Sequence, residues 1–242
     1  TCICLILSTT ACSQSKNYSS GNWGSKKVIA SNKYVTKDIK VDNFKKISVA
    51  GSPDVTFTQK SGRPEVEVYT SDNIVDLLDI KVKDNTLYIG FKKDVNVSYK
   101  KLEVRVSAET LNGISVAGSG DIKGSGIKCN DMKVSVAGSG DINADNITCN
   151  NLKVSVAGSG DMVLRNVTAT GTEASVAGSG SATITGTTQT ATYSVAGSGD
   201  LLTEGYEAQR VTASVAGSGS IKCFATEFLK ARTSGKIGRA HV

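Results

Sequence analysis

Residues 135–141 read Ser135-Val136-Ala137-Gly138-Ser139-Gly140-Asp141, and the pentapeptide at their head, Ser-Val-Ala-Gly-Ser, occurs seven times in the chain. The first glycines of the last six copies are Gly118, Gly138, Gly158, Gly178, Gly197 and Gly217, so the steps are 20, 20, 20, 19 and 20 residues. A fixed period of that length marks a solenoid in which one repeat makes one coil. Aligning the coils stacks like on like. Val116, Val136, Val156, Val176, Val195 and Val215 form one apolar column; Ile122, Ile142, Met162, Leu201 and Ile221 form a second; Ile127, Ile147 and Val167 form a third. Met132 and Leu152, followed by Val134 and Val154, extend the same interior. The fold predicted is all-β: a parallel β-helix-like solenoid with coils of about 20 residues over 111–235. Six coils stacked at the strand spacing give a rod of about 30 Å.

The corner explains its own composition. Gly118, Gly138, Gly158, Gly178, Gly197 and Gly217 are expected to turn with positive φ and to let neighbouring coils approach with no side chain between them. A β-branched residue at Gly138 is therefore expected to cost more than the same change on an exposed strand. After residue 170, Thr and Ala replace aliphatics in Thr168 to Thr192, which predicts a thinner, weaker core at that end.

Outside the repeat, short alternating runs predict further strands: Phe44 to Ala50, Val55 to Gln59, Glu65 to Tyr69, Ile80 to Lys83, Thr86 to Phe91, Val95 to Tyr99 and Leu102 to Ser107. Asp84-Asn85 marks a hairpin turn, and Asn73 to Leu78 a helical turn. The first motif copy, Ser48 to Ser52, falls here with Pro53 in place of the second glycine. Residues 41–110 thus read as a less regular N-terminal β cap covering the end of the stack. Residues 12–40 are polar and read as a flexible tether. Residues 1–11 form an apolar segment too short to span a membrane, read as a truncated signal peptide ending in Thr10-Ala11-Cys12. Two readings follow: a lipoprotein signal with the lipid on Cys12, or plain secretion with cleavage after Ala11. Residues 236–242 break the register and read as a non-native tail. Without them the formal charge of +6 becomes 6 − 2 = +4, and the only histidine, His241, is lost.

Composition narrows the chemistry. Aromatics are 5% of the chain and the lysines and arginines are dispersed, which suits solvated strand faces rather than a nucleic-acid groove built on stacking rings. Cys129 and Cys149 sit 20 residues apart at one place in consecutive coils, either as a disulfide or as buried thiols. No CxxC pair suggests zinc, and no Walker loop, GxGxxG or Ser/His pair suggests a cofactor or a nucleophile. The corners are followed by Asp121, Asp141, Asp161 and Asp200, with Ser181 and Ser220 interrupting the series. They are either calcium ligands or backbone hydrogen-bond acceptors, with Lys123, Lys133 and Lys153 nearby to offset their repulsion. A polysaccharide-active enzyme of β-helix type would use Asp141 and Asp161 with Arg165. Against that, the acids recur as a series instead of breaking it, so no catalysis is expected.

The copies of SVAGSGD, the opening Phe44-Lys45-Lys46-Ile47-Ser48-Val49-Ala50-Gly51-Ser52-Pro53-Asp54-Val55, and the segments Ser71-Asp72-Asn73-Ile74 and Asn85-Thr86-Leu87-Tyr88-Ile89 resemble the putative auto-transporter adhesin head GIN domain family. The resemblance covers about residues 40–235. It implies a β-helix-like fold outside the cytoplasm, in secreted or lipid-anchored proteins of Bacteroidetes-type bacteria, with no functional residues to carry over. The function expected is a cell-envelope binding or adhesion module. Its exposed ladder Ser119, Ser139, Ser159 and Ser179 is expected to form a flat face for a glycan or an envelope or host protein. The alternatives are the enzyme and a structural spacer.

Overall fold

The computed structural model describes residues 26–235 and 240–241. The signal segment, Cys12, the first half of the proposed tether and most of the proposed tail lie outside the described residues.

The N-terminal part contributes β1 (Lys26–Ile29), β2 (Tyr34–Asp38), β3 (Lys46–Gly51), β4 (Asp54–Gln59), β5 (Glu65–Ser71), β6 (Leu78–Lys83), β7 (Thr86–Phe91), β8 (Val95–Ser98) and β9 (Leu102–Ala108). The regular part contributes β10 (Gly113–Gly118), β11 (Ile122–Lys128), β12 (Asp131–Gly138), β13 (Ile142–Thr148), β14 (Asn151–Gly158), β15 (Met162–Gly178), β16 (Ser181–Gly197), β17 (Asp200–Gly217) and β18 (Ser220–Gly235), with β19 (Ala240–His241) beside the last. These make a β-solenoid of about 6 turns with a less regular N-terminal part.

Every coil donates one strand to a front sheet and one to a back sheet. The front sheet runs β6-β7-β3-β10-β12-β14 and then through the second halves of β15 to β18. The back sheet runs β2-β5-β9-β4-β11-β13 and then through their first halves. All seven Ser-Val-Ala-Gly copies lie in register on the front sheet, from Ser48 opposite Ser115 to Ser194 opposite Ser214. Val136 lies directly opposite Val156, and all six valines of the repeat column are buried. The copy at Ser48 is therefore a full rung, extending that column inward to Val49.

The corner glycines have φ between +120° and +139° in the six regular copies. A Cβ on Gly197 would lie 2.6 Å from the Gly178 carbonyl oxygen, and one on Gly138 would fall closer still to that of Gly118. That close approach lets one carbonyl accept two N–H groups: Ser139 and Gly140 both donate to Gly118 O, at 2.8 and 2.9 Å, and the pattern repeats up the stack. Gly51, at the first rung, meets only Pro53 Cδ at 3.9 Å.

The cap is built out of chain order. The chain lays β3 and β4, leaves downward to β5 and β6, returns through β7 and β9 beneath the first rung, and resumes above it at β10. Leu111, fully buried, and the bond from Asn112 N to Lys45 O (2.7 Å) pin that crossing. The outermost pairings, β2 with β5 and β6 with β7, are antiparallel, and the terminal strands carry Lys37, Lys81 and Lys83, which discourage edge-to-edge association. A 3₁₀ turn at Val75–Leu77 fills the position where a helical turn is expected.

Two expectations need correction. The polar stretch read as a tether to residue 40 is partly folded: β1 pairs with β8, and β2 with β5. Short strands that borrow their partners from about 30 to 70 residues away leave little local signal. The later coils are also not thin-cored. Tyr193, with Ala174 and Ala213 opposite it, and Tyr206, opposite Gly186, are fully buried and fill the space that aliphatics fill elsewhere. The single 19-residue step is absorbed where β15 and β16 slip between Leu164 and Val167, at the second corner. Gly186 (φ +129°) closes that shortened corner.

Candidate functional site

The front sheet carries a trough of about 860 Å³ on its outer surface, where the cap meets the first coils. Two outward-pointing columns of the front sheet pass through it, with Lys83 and Lys81 beyond its edge. One runs Lys83, Thr86, Lys46, Gly113, Lys133, Lys153, Glu173 from β6 to β15. The next runs Lys81, Tyr88, Ser48, Ser115, Ser135, Ser155. Gly113 has no side chain to fill the floor, and the Lys46 stem lies across it, its Cγ 3.2 Å from where a Cβ would stand. Tyr88 is 39% exposed, one of the few large rings on the surface.

The charges of this face are unevenly satisfied. Lys153 is held by Glu173 at 3.0 Å, and Lys81 by Asp79. Lys46, Lys83 and Lys133 form no ion pair among the described residues, and all three are exposed. The back of the cap differs: there Arg105 bonds Glu67 at 2.8 Å and Lys101 lies 3.7 Å from Glu103. Sequence reasoning missed the trough because Lys83, Lys46 and Lys133 become neighbours only through the crossing of the cap. The available signal was the in-register alignment of the first motif copy with the rest, which places Lys46 and Lys133 in one column.

The aspartate ladder is assembled as expected but is occupied by backbone. Asp121 Oδ1 accepts Asp141 N at 3.0 Å, and Asp141 Oδ1 accepts Asp161 N at 2.8 Å. Where the series switches to serine, the serine donates twice: Ser181 N and Oγ reach Asp161 Oδ1 at 2.9 and 2.8 Å, and Ser220 N and Oγ reach Asp200 Oδ1 at 2.9 and 2.6 Å. Among the described residues no group of three or more His, Cys, Asp or Glu could hold a metal ion. The lysines do not neutralise this ladder: Lys153 turns to Glu173, and Lys123 and Lys133 make no ion pair among the described residues. The enzyme trio is likewise not brought together, because Arg165 Nη1 points to Asp145 Oδ1 (3.4 Å) while Asp141 and Asp161 bond the next coil. Ser119, Ser139, Ser159 and Ser179 are exposed in a row at the corner, away from the trough.

Cys129 and Cys149 are free thiols on adjacent coils. Burial, with Cys129 and Asp131 beside it, pushes the Cys149 thiol up to about 12. It is protonated at neutral pH and a poor nucleophile. Burial also raises Tyr193 and Tyr206. Tyr206 Oη bonds Thr172 Oγ1 at 2.8 Å, whereas Tyr193 Oη, beside Thr203, makes no hydrogen bond of good geometry among the described residues. No helix is long and apolar enough to cross a membrane among the described residues.

No curated protein matches the chain. Solved structures do. A protein described as a "putative lipid binding protein" from Parabacteroides distasonis is 25% identical, with TM-score 0.82, over 89% of this chain and 94% of that one. A "putative adhesin" from Bacteroides fragilis is 28% identical, with TM-score 0.80, over 89% of this chain and 100% of that one. A second "putative adhesin" from Parabacteroides distasonis is 26% identical, with TM-score 0.80, over 89% and 96%. The family model "Putative auto-transporter adhesin, head GIN domain" matches residues 43–239, and the chain belongs to that family.

Proposed function

We propose that the chain is a non-catalytic binding module of the cell envelope that takes its partner on the outer front face, at the trough beside the cap. The observation that carries this reading is exposed Tyr88 beside Lys46 and Lys133, two lysines of the trough that form no ion pair among the described residues, with Lys83 of the same column beyond its edge. A structural spacer has no need of an open face with unpaired cations. A hydrolase or lyase needs convergent acids, and here the acids are spent on the backbone of the neighbouring coil. The family and two of its solved relatives carry the adhesin description, and a third carries the lipid-binding one. On this reading the module works outside the cytoplasm, with residues 1–11 proposed as the signal and Cys12 as the lipid-bearing residue.

The test is a glycan and envelope-protein array probed with the full chain. Binding that is lost in Tyr88→Ala, with an unchanged melting curve, supports the reading. Absence of any bound species, or binding untouched by Tyr88→Ala and Lys133→Ala, overturns it in favour of a spacer. Release of reducing sugar or unsaturated product, abolished by Asp161→Ala, would establish the enzyme instead.

A further inference from the structure

The free charges on the front face have a spacing, and the spacing has a chemistry. Lys83 stands on β6, Lys46 on β3 and Lys133 on β12, in one outward column. β7 separates the first two and β10 the second two, so each step crosses two strands, about 9.6 Å. The positions between them are Thr86 and Gly113, neutral and small. The next lysine up, Lys153, is one strand further on and already bound to Glu173, which ends the row of free cations.

We propose that this face binds an extended acidic polysaccharide carrying one carboxylate per disaccharide, laid across the strands from β6 to β12. The inference rests on the binding-module reading above. A step of two strands is about the length of a disaccharide in an extended chain, so successive carboxylates meet successive ammonium groups. Tyr88, in the adjacent column between Lys81 and Ser48, offers a ring face to the C–H face of a sugar. Ser48, Ser115 and Ser135 line the same side with hydroxyls for the sugar's own. A neutral glycan would leave three ammonium groups unused, and a nucleic acid strand would find one stacking ring where it needs a series.

The test is calorimetric titration of the full chain with hyaluronan oligosaccharides, whose carboxylates alternate, and with their carboxyl-reduced, neutral counterparts. Binding is expected to hyaluronan alone and to weaken with added salt. An exposed ion pair contributes about two- to threefold in affinity, so the Lys46→Ala, Lys83→Ala, Lys133→Ala triple variant is expected to bind about tenfold more weakly. Lys123→Ala, on the back sheet, is expected to change nothing. Thr86→Lys fills one gap in the row and is expected to improve binding of polygalacturonate, charged on every sugar, relative to hyaluronan. Equal affinity for the reduced polymer or for single-stranded DNA, or a triple variant that binds like the wild type, overturns the proposal. If the array shows a neutral glycan bound through Tyr88 while hyaluronan is inert, this inference falls and the binding reading stands. If no species binds, both fall.

Discussion

Gly178→Ala is the sharpest test of the stacked corner. Gly178 has φ +127°, and a Cβ there would lie 2.5 Å from Gly158 O and 3.1 Å from Gly158 N. The left-handed backbone alone costs a non-glycine residue about 1–2 kcal/mol. The methyl group also drives out the carbonyl that accepts Ser179 N and Gly180 N, both at 2.9 Å. Each of those bonds contributes about 1 kcal/mol, so the whole penalty is about 3–4 kcal/mol. Against a total stability of about 5–15 kcal/mol this is large, and for a domain of this size it lowers Tm by roughly 6–16 °C. Gly62→Ala is the matched control: φ is +118°, with nothing within 4 Å of the added methyl, so only the backbone term of about 1–2 kcal/mol applies. Thermal and urea denaturation followed by circular dichroism measure both. If Gly178→Ala costs no more than Gly62→Ala, inter-coil backbone contact at the corner is not what demands glycine, and the account given for the repeat is wrong.

Removing the Asp161 carboxylate orphans Ser181 N and Oγ at once, so Asp161→Ala is expected to lose about 1–3 kcal/mol, while a calcium chelator leaves the wild-type melting curve unmoved. A chelator-dependent drop in Tm would reinstate calcium at the ladder. Tyr193→Phe removes a buried hydroxyl that makes no hydrogen bond of good geometry among the described residues and is expected to be neutral or stabilising by up to about 1 kcal/mol, whereas Tyr206→Phe breaks the Thr172 bond and destabilises by about 1 kcal/mol. The reverse order in a denaturation series would show that Tyr193 is bonded after all. Cys149, Tyr193 and Tyr206 all lose protons less readily folded than unfolded, the first at about 12 against an ordinary thiol at 9.0. The unfolded chain therefore releases protons first: their contribution is intact below about pH 9 and declines above it, so Tm should hold flat and then fall through pH 9–12. A Tm that rises over that interval contradicts the burial of these groups.

How much of this was legible depended on whether a residue's partner is its own copy. Val136 and Val156 are partners because the period says so, and the corner glycines and the aspartate ladder follow from the same alignment. The cap strands were also visible as alternating runs, yet their order was not, since nothing local in Leu111-Asn112 announces that the chain steps past β3 before resuming the stack. Tyr193 and Tyr206 fall in the register of the repeat, but their effect depends on Ala174, Ala213 and Gly186 opposite them, a pairing of large with small that a scan for aliphatics reads as loss of core. The strands at Lys26–Ile29 and Tyr34–Asp38 left least trace, being polar and paired entirely with distant segments.

That division bears on where function sits. Perfect repetition makes ladders, and ladders satisfy themselves: each glycine carbonyl and each aspartate is answered by the coil above. Chemistry left over for a partner must come from places where the repetition fails. On the front face it fails at Thr86 and Gly113, which interrupt a lysine column, and at Tyr88, which stands where the repeat has serine. All three lie at or beside the cap, where β3 is flanked by strands from two different parts of the chain. The cap therefore does more than close the end of the stack. By placing β7 below β3 and β10 above it, the crossing converts residues 83, 46 and 133, scattered in sequence, into one evenly spaced row of charge.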